Sequence, residues 1–294
     1  MTQNEGNLEV CLPWQHVQWQ RVIDLHLNAR LPHALLLSGM SGIGKSRFAL
    51  ALAHYLMCSE PQGEVACGHC RQCTFNLAGT HPDLKILEPE ESGKQIKVDT
   101  IRQLNDFLAK TPQISACQVV QIYPIEAMNL NASNALLKTL EEPTPDSVII
   151  LVSHCAGQLL PTIRSRCQVV DFKIPAFDIA HQWLSSEIEK KSGKQYSSES
   201  LSSLLSLASN APLKAAMYAD INALEENLSM LDEMGRLLKN EILASEIASR
   251  WIDDLAVLRL AWSIQWIENI LRIKSLGDKA EFNNNKMMVY LAAH

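Results

Sequence analysis

At 294 residues the chain is longer than one hydrophobic core usually serves, so two or three domains are expected. A composition of 47% hydrophobic and 20% charged residues excludes a disordered chain. No apolar run approaches the roughly 18 to 20 residues of a membrane helix, and the N-terminus (MTQNEGNLEV) has no basic region followed by an apolar one, so a cytoplasmic protein without a membrane partner is expected. The net charge of −6 argues against strong autonomous nucleic-acid binding, which needs clustered Lys and Arg. Any DNA contact is expected to be shared with partners.

Short β-branched or Leu-rich runs at Ala34 to Ser38, Leu84 to Leu87, Gln118 to Tyr123, Val148 to Ser153 and Gln168 to Phe172 have the length of buried strands. Helix-like segments separate them, the alternation of a parallel sheet covered by helices. The first of these strands runs directly into Gly39-Met-Ser-Gly42-Ile-Gly44-Lys45-Ser46, a complete G-x-x-x-x-G-K-S, and helical apolar spacing follows from Arg47 to Leu56. Gly39, Gly42 and Gly44 permit a tight loop whose N–H groups turn inward on a phosphate at the positive end of the helix. Lys45 is the expected contact to the terminal phosphates and Ser46 the expected magnesium ligand.

Cys58, Cys67, Cys70 and Cys73 follow, spaced C-x8-C-x2-C-x2-C. The two-residue gaps let neighbouring thiolates turn back onto one ion and the longer gap closes a tetrahedron, which selects structural zinc. Four thiolates also serve iron–sulfur clusters, but no redox context accompanies them here. His69 lies inside the cluster as a substitute ligand. Cys11, Cys117, Cys155 and Cys167 are scattered and read as small core residues.

Beyond Pro175 the sequence turns helical, which places a domain boundary near Asp171 to Phe177 and an exposed loop at Lys190 to Ser200. Leu255, Leu258, Trp262, Trp266 and Ile270 recur at steps of three or four and line one helix face, as core or as a partner surface.

The phosphate loop, the cysteine insertion, His81-Pro82-Asp83, Asn134-Ala-Leu-Leu-Lys-Thr-Leu-Glu-Glu-Pro143 and Ser165-Arg166-Cys167, in that order, resemble the bacterial clamp-loader subunits of the AAA+ class. The similarity covers most of residues 12 to 175. It implies an α/β AAA+ P-loop core, a parallel sheet with flanking helices and a zinc-binding insertion, over residues 1–172; an all-α lid over 173–222; and an all-α C-terminal collar over 223–294. Two kinds of subunit share this layout, the gamma/tau motor and its delta-prime partner. Motors carry an Asp-Glu pair eleven and ten residues before the Asn of the Asn-Ala-Leu-Leu-Lys stretch; here those positions are Tyr123 and Pro124. Neither can hold magnesium or orient water, so the chain resembles the delta-prime kind, binding ATP without efficient hydrolysis. Glu126, two residues off, reads as a solvated loop carboxylate.

By the same resemblance Arg166 supplies an arginine finger in trans to a neighbouring motor. Arg164 is its rival, strand alternation placing both on one face. Ser153 occupies the place of a phosphate-sensing residue, and Lys214 lies close to the position of a lid arginine. The implied partners are the gamma/tau and delta subunits, with the sliding clamp and primer–template DNA reached through the complex. An active AAA+ ATPase and a zinc-containing DNA-binding protein are the alternative readings.

Overall fold

The computed structural model describes residues 11–91 and 93–276. It divides into two compact units, residues 1–179 and 180–294. The residues expected in the collar beyond 276 lie outside the described part.

The first unit is built on five parallel strands, β1 (Ala34–Ser38), β2 (Leu84–Leu87), β3 (Gln118–Ile122), β4 (Ser147–Ser153) and β5 (Gln168–Asp171), in the order β2-β3-β4-β1-β5. Ala34 to Leu37 and Ile149 to Val152 are fully buried, as a central parallel pair covered on both faces requires. The helices of this unit are α1 (His16–Leu27), α2 (Lys45–Met57), α3 (Arg71–Leu77), α4 (Val98–Leu108), α5 (Leu130–Glu141) and α6 (Pro161–Arg164). The expected strands are all present with ends shifted by one residue: β3 and β5 stop at Ile122 and Asp171, and β4 starts at Ser147. α5 carries the Asn-Ala-Leu-Leu-Lys stretch. Asn129 caps it by accepting from Ala132 N, and Ala132, Ser133, Leu136 and Leu140 turn inward.

The His81-Pro82-Asp83 stretch is a brace. The Asp83 carboxylate, wholly buried before β2, accepts from Gln113 N (2.7 Å), Ile114 N (2.9 Å), Ser115 N (2.9 Å) and Ser115 Oγ (3.0 Å), and so holds the loop that enters β3. Burial alone raises its pKa, but these four donors outweigh it and hold the carboxyl below its ordinary value.

The second unit comprises α7 (Phe177–Ser192, whose first turn belongs to the first unit), α8 (Ser198–Leu207), α9 (Pro212–Asp220), α10 (Ala223–Leu238), α11 (Ala244–Trp251) and α12 (Ala256–Leu276). The exposed loop expected at Lys190 to Ser200 is shorter, residues 193–197, because α7 runs on to Ser192 and Ser197 caps α8 by accepting from Ser200 N. One core joins Ala180, Leu184, Leu204, Tyr218, Met230, Trp262 and Trp266. Four of the five residues expected to line one helix face, Leu258, Trp262, Trp266 and Ile270, therefore pack inward on α12, whereas Leu255 lies in the turn before it. Buried Arg259 fixes α12 through Glu226 (2.8 Å) and Asp253 (2.6 Å). The opposite face of α12 carries Val257, Leu260, Ile264, Ile267 and Leu271, each between 51% and 82% exposed.

Replacing Asp83 by Asn leaves a buried amide among four donors and is expected to destabilise the fold by about 3 kcal/mol in denaturant unfolding. The contribution of a depressed carboxyl pKa is complete above the unfolded value of about 3.9 and is lost as pH falls through the folded value. The difference between wild type and Asp83→Asn is therefore expected to be full at pH 7 and to shrink only below about pH 4.

Candidate phosphate loop and thiolate metal centre

The register of the sheet decides which side chains meet. Ser38 of β1 pairs with Ser153 of β4, and Ile122 of β3 pairs with Leu151 of β4. The loop 39–44, Tyr123 with Pro124, and His154 with Cys155 therefore leave the sheet side by side. β1 also lies where the strand order reverses, since the chain crosses from it to the β2 edge and returns to place β5 on its other flank. In open α/β sheets that end of the strands is where ligands bind.

The glycines are required by local geometry. Gly39 and Gly44 have φ of 151° and 89°; a Cβ on Gly39 would lie 2.3 Å from the Phe172 carbonyl oxygen, and one on Gly44 2.3 Å from Leu12 Cδ1. Gly42 turns with φ of 80°. Trp14 Nε1 and Gln15 Nε2 each donate to Ile43 O at 3.0 Å and hold the loop from outside. The helix-end donors of α2 begin at Lys45 and open onto this loop.

Lys45 is only 2% exposed, and all three of its protons are placed inside the chain. Nζ donates to Gly39 O (2.6 Å), Met40 O (2.5 Å) and His154 Nδ1 (3.2 Å), which puts the imidazole proton on Nε2. Burial brings the Lys45 pKa down to about 8, against the pull of Glu126. Burial, then the Lys45 charge, lowers His154, again with Glu126 opposing. The Tyr123 ring stands edge-on to His154 at 5.4 Å. Burial, then Glu88, push the Tyr123 phenol above its ordinary value, with the Ser46 side chain opposing.

Glu126 is not the solvated loop carboxylate that its sequence position suggests. Its Oε1 accepts from Ser153 Oγ (2.5 Å), His154 N (2.8 Å) and Cys155 N (2.8 Å), tying the end of β4 to the turn after β3. Burial raises its pKa, and these donors more than offset the effect and hold it below its ordinary value. Ser153 thus spends its hydroxyl proton on Glu126. His154, which the sequence reading passed over, is the group that reaches the lysine; its position directly after Ser153 was the available signal.

Magnesium does not fit this arrangement. The ion needs one or two carboxylates beside the phosphate oxygens; here the strand-end positions are a phenol and a proline, and Glu126 is tied through Oε1 to the 153–155 segment, which leaves one buried oxygen, Oε2, without a partner among the described residues.

The cysteine cluster does fit its metal. The Sγ atoms of Cys58, Cys67, Cys70 and Cys73 all lie within 4.8 Å of one another, and three of the separations are 3.7, 3.9 and 3.9 Å. A tetrahedron with Zn–S bonds of about 2.3 Å has edges of about 3.8 Å, whereas a disulfide would bring two sulfurs to about 2.05 Å. Cys67 N donates to Cys58 Sγ and Cys70 N to Cys67 Sγ, both at 3.3 Å, contacts that favour the thiolate. His69 is exposed and meets Gln62 Nε2 at 3.4 Å, outside the ligand set. Of the four scattered cysteines, Cys11 is buried, Cys117 and Cys167 are half-buried, and Cys155 is exposed, so the last is not a core residue.

Arg166 lies between α6 and β5. Its guanidinium donates to Thr162 O (2.9 Å) and pairs with Glu141 at 2.6 Å, its side chain 34% exposed. Arg164 is the last residue of α6, not part of a strand, so alternation does not place the two arginines on one face. Lys214, in the first turn of α9, sits over the Tyr218 ring at 5.5 Å.

Sheet order, phosphate loop and thiolate cluster together define an AAA+-type P-loop protein with a metal-binding insertion. The family model described as "DNA polymerase III, delta subunit" matches residues 14–176. The "DNA polymerase III subunit delta'" of Pseudomonas aeruginosa is 39% identical over 91% of this chain and 79% of its own length, and that of Yersinia pestis is 33% identical over 88% and 74%. A "dna polymerase iii, gamma subunit-related protein" of Thermotoga maritima, a solved structure, is 19% identical with a TM-score of 0.46 over 95% of this chain and 89% of that one. The chain belongs to the delta-prime subunit family of DNA polymerase III, the clamp-loader subunits related to the gamma/tau proteins.

Elemental analysis of protein purified without chelator is expected to find one zinc per chain. Cys73→Ser, which removes a buried ligand, is expected to lower both the zinc content and the melting temperature; a wild-type protein free of stoichiometric metal would refute the assignment.

Proposed function

We propose that the chain works in the clamp loader as a partner of an ATPase, supporting the loading of the sliding clamp onto primed DNA and presenting Arg166 to the ATP of an adjacent gamma/tau subunit. The observation that carries this reading is a contrast. Tyr123 and Pro124 stand where a motor has its acids, whereas the Arg166 guanidinium is kept partly exposed at the surface by Glu141 and Thr162 O. A guanidinium so placed can stabilise charge on a phosphoryl group in transfer.

In this reading the four thiolates hold structural zinc, and the loop Gly39 to Ser46 binds nucleotide without efficient hydrolysis, Ser153 serving by anchoring the strand end beside it. Residues 173–222 form the lid and 223–294 the collar, whose neighbours are the motor and delta subunits. The exposed α12 face supports the collar assignment: Val257, Leu260, Ile264, Ile267 and Leu271 recur at steps of three and four, the spacing of a helix seam. Clamp and primer–template DNA are met through the complex, in keeping with the net charge of −6. None of the described helices is long and apolar enough to cross a membrane, and a place in the cytoplasm with the nucleoid-bound replication machinery follows from the family.

Arg166→Ala is expected to leave folding and assembly intact, since a half-exposed ion pair is worth at most about 1 kcal/mol. The same variant should cut the DNA-stimulated ATPase of the reconstituted loader, at the neighbouring site, by on the order of 10³-fold or more; an unchanged rate removes the finger assignment. Turnover by the isolated chain that vanishes in Lys45→Ala would instead favour an active ATPase. For the collar, Ile264→Glu is expected to reduce recovery of the chain in the assembled complex while its own melting temperature holds.

A further inference from the structure

The residues that fail to suit magnesium make a site of a different kind. In the reading that the loop binds nucleotide, a triphosphate places two demands on this fold: a proton of Lys45 for the terminal phosphate, and a metal between the last two phosphates. Lys45 has no proton to spare, since two go to Gly39 O and Met40 O and the third to His154 Nδ1. For the metal, the strand-end positions offer a phenol and a proline, and Glu126 commits its Oε1 to the 153–155 segment.

The phosphate that sits in the loop itself makes neither demand. It is held by backbone N–H groups of the glycine turn and by the first donors of α2. The Lys45 ammonium adds its charge without giving up a hydrogen bond. We propose that the loop is a metal-independent site for a nucleoside diphosphate, with the His154 imidazole filling the position on Lys45 that the terminal phosphate of a triphosphate would take. His154 is then a specificity-determining residue. Its ring lies edge-on to Tyr123 and meets Lys45 Nζ through Nδ1, so admitting a third phosphate means displacing an imidazole that already has both partners. Displacement also takes from the half-buried Nδ1 its donor, a cost a diphosphate does not incur.

The test is isothermal titration of the full-length, zinc-containing chain with ADP and with the non-hydrolysable triphosphate AMPPNP, each with magnesium and in magnesium-free buffer without chelator, which leaves the zinc in place. ADP is expected to bind with an affinity that omitting magnesium changes by less than about twofold, and at least about tenfold more tightly than AMPPNP. His154→Ala is expected to narrow that preference by improving AMPPNP binding, with Lys45→Ala weakening both ligands. Circular dichroism and zinc content establish that each variant is folded. If AMPPNP binds as tightly as ADP, or only in magnesium, the diphosphate proposal fails while the loop remains a nucleotide site. If neither ligand binds at millimolar concentration, both fail. If His154→Ala leaves the preference for ADP unchanged, the role of His154 fails.

Discussion

A buried ammonium must set each of its protons on an acceptor, and Lys45 does this at the one place where β1, β3 and β4 end together. Two of its acceptors are carbonyls of its own loop, so the lysine closes the turn that carries it. The third belongs to the segment after β4, which Glu126 in turn ties to the turn after β3. Three strand ends are thereby linked through a single charge. Burial disfavours the ammonium and brings its pKa down, and the nearby Glu126 carboxylate opposes that shift.

A second set of interactions serves the same end from behind. Asp83 takes three backbone N–H groups of residues 113–115, and Gln72 of α3 donates to the Ile114 carbonyl of the same loop at 2.5 Å. α3 begins at the thiolate cluster, with Cys70 as its cap. Trp19 of α1 reaches Glu64 O, on the other side of the cysteine turn, at 3.1 Å. The metal insertion is thus fastened both to the first helix and to the loop that delivers the chain into β3. With zinc held by the four thiolates, a closed tetrahedral centre would stabilise those attachments, because it would fix Cys58 at the end of α2 relative to α3.

Features that depend on neighbours in the chain were legible in the sequence. The five strands, the glycine turn and the cysteine spacing are local patterns, and each stands where its period or spacing put it. What stayed hidden depends on register. Glu126 read as a loop acid because its partners, residues 153 to 155, lie 27 or more positions away and come within reach only when Ile122 pairs with Leu151. His154 was invisible as a lysine partner for the same reason, its contact spanning 109 positions. Arg164 was misplaced by a more local error: proline at the first position of α6 started a helical turn where a strand had been expected. The loop after α7 was drawn too long because Ser and Lys composition marks exposure, and here the exposed residues are helix ends as much as loop.

The internal partners of the phosphate loop also bear on how such a subunit could serve a motor. A ligand shifts a conformational equilibrium only by the difference in its affinity for the two states. In a motor subunit the terminal phosphate supplies that difference through a sensing residue and a metal. In this chain two of the equivalents are already engaged within the core: Ser153 with Glu126 and Lys45 with His154. A third phosphate therefore has few new contacts to offer and several to break, so the core has little to gain by changing shape. In the proposed role that fixity is useful. The value of an arginine finger falls steeply with misplacement, because its charge must meet the phosphoryl group as charge develops there. Arg166 sits on the short segment between α6 and β5, and Glu141 at the end of α5 holds it from the side. Both elements pack on the sheet whose strand ends Lys45 gathers, so in the proposed role the internal partners that occupy the phosphate loop also steady the surface that carries Arg166.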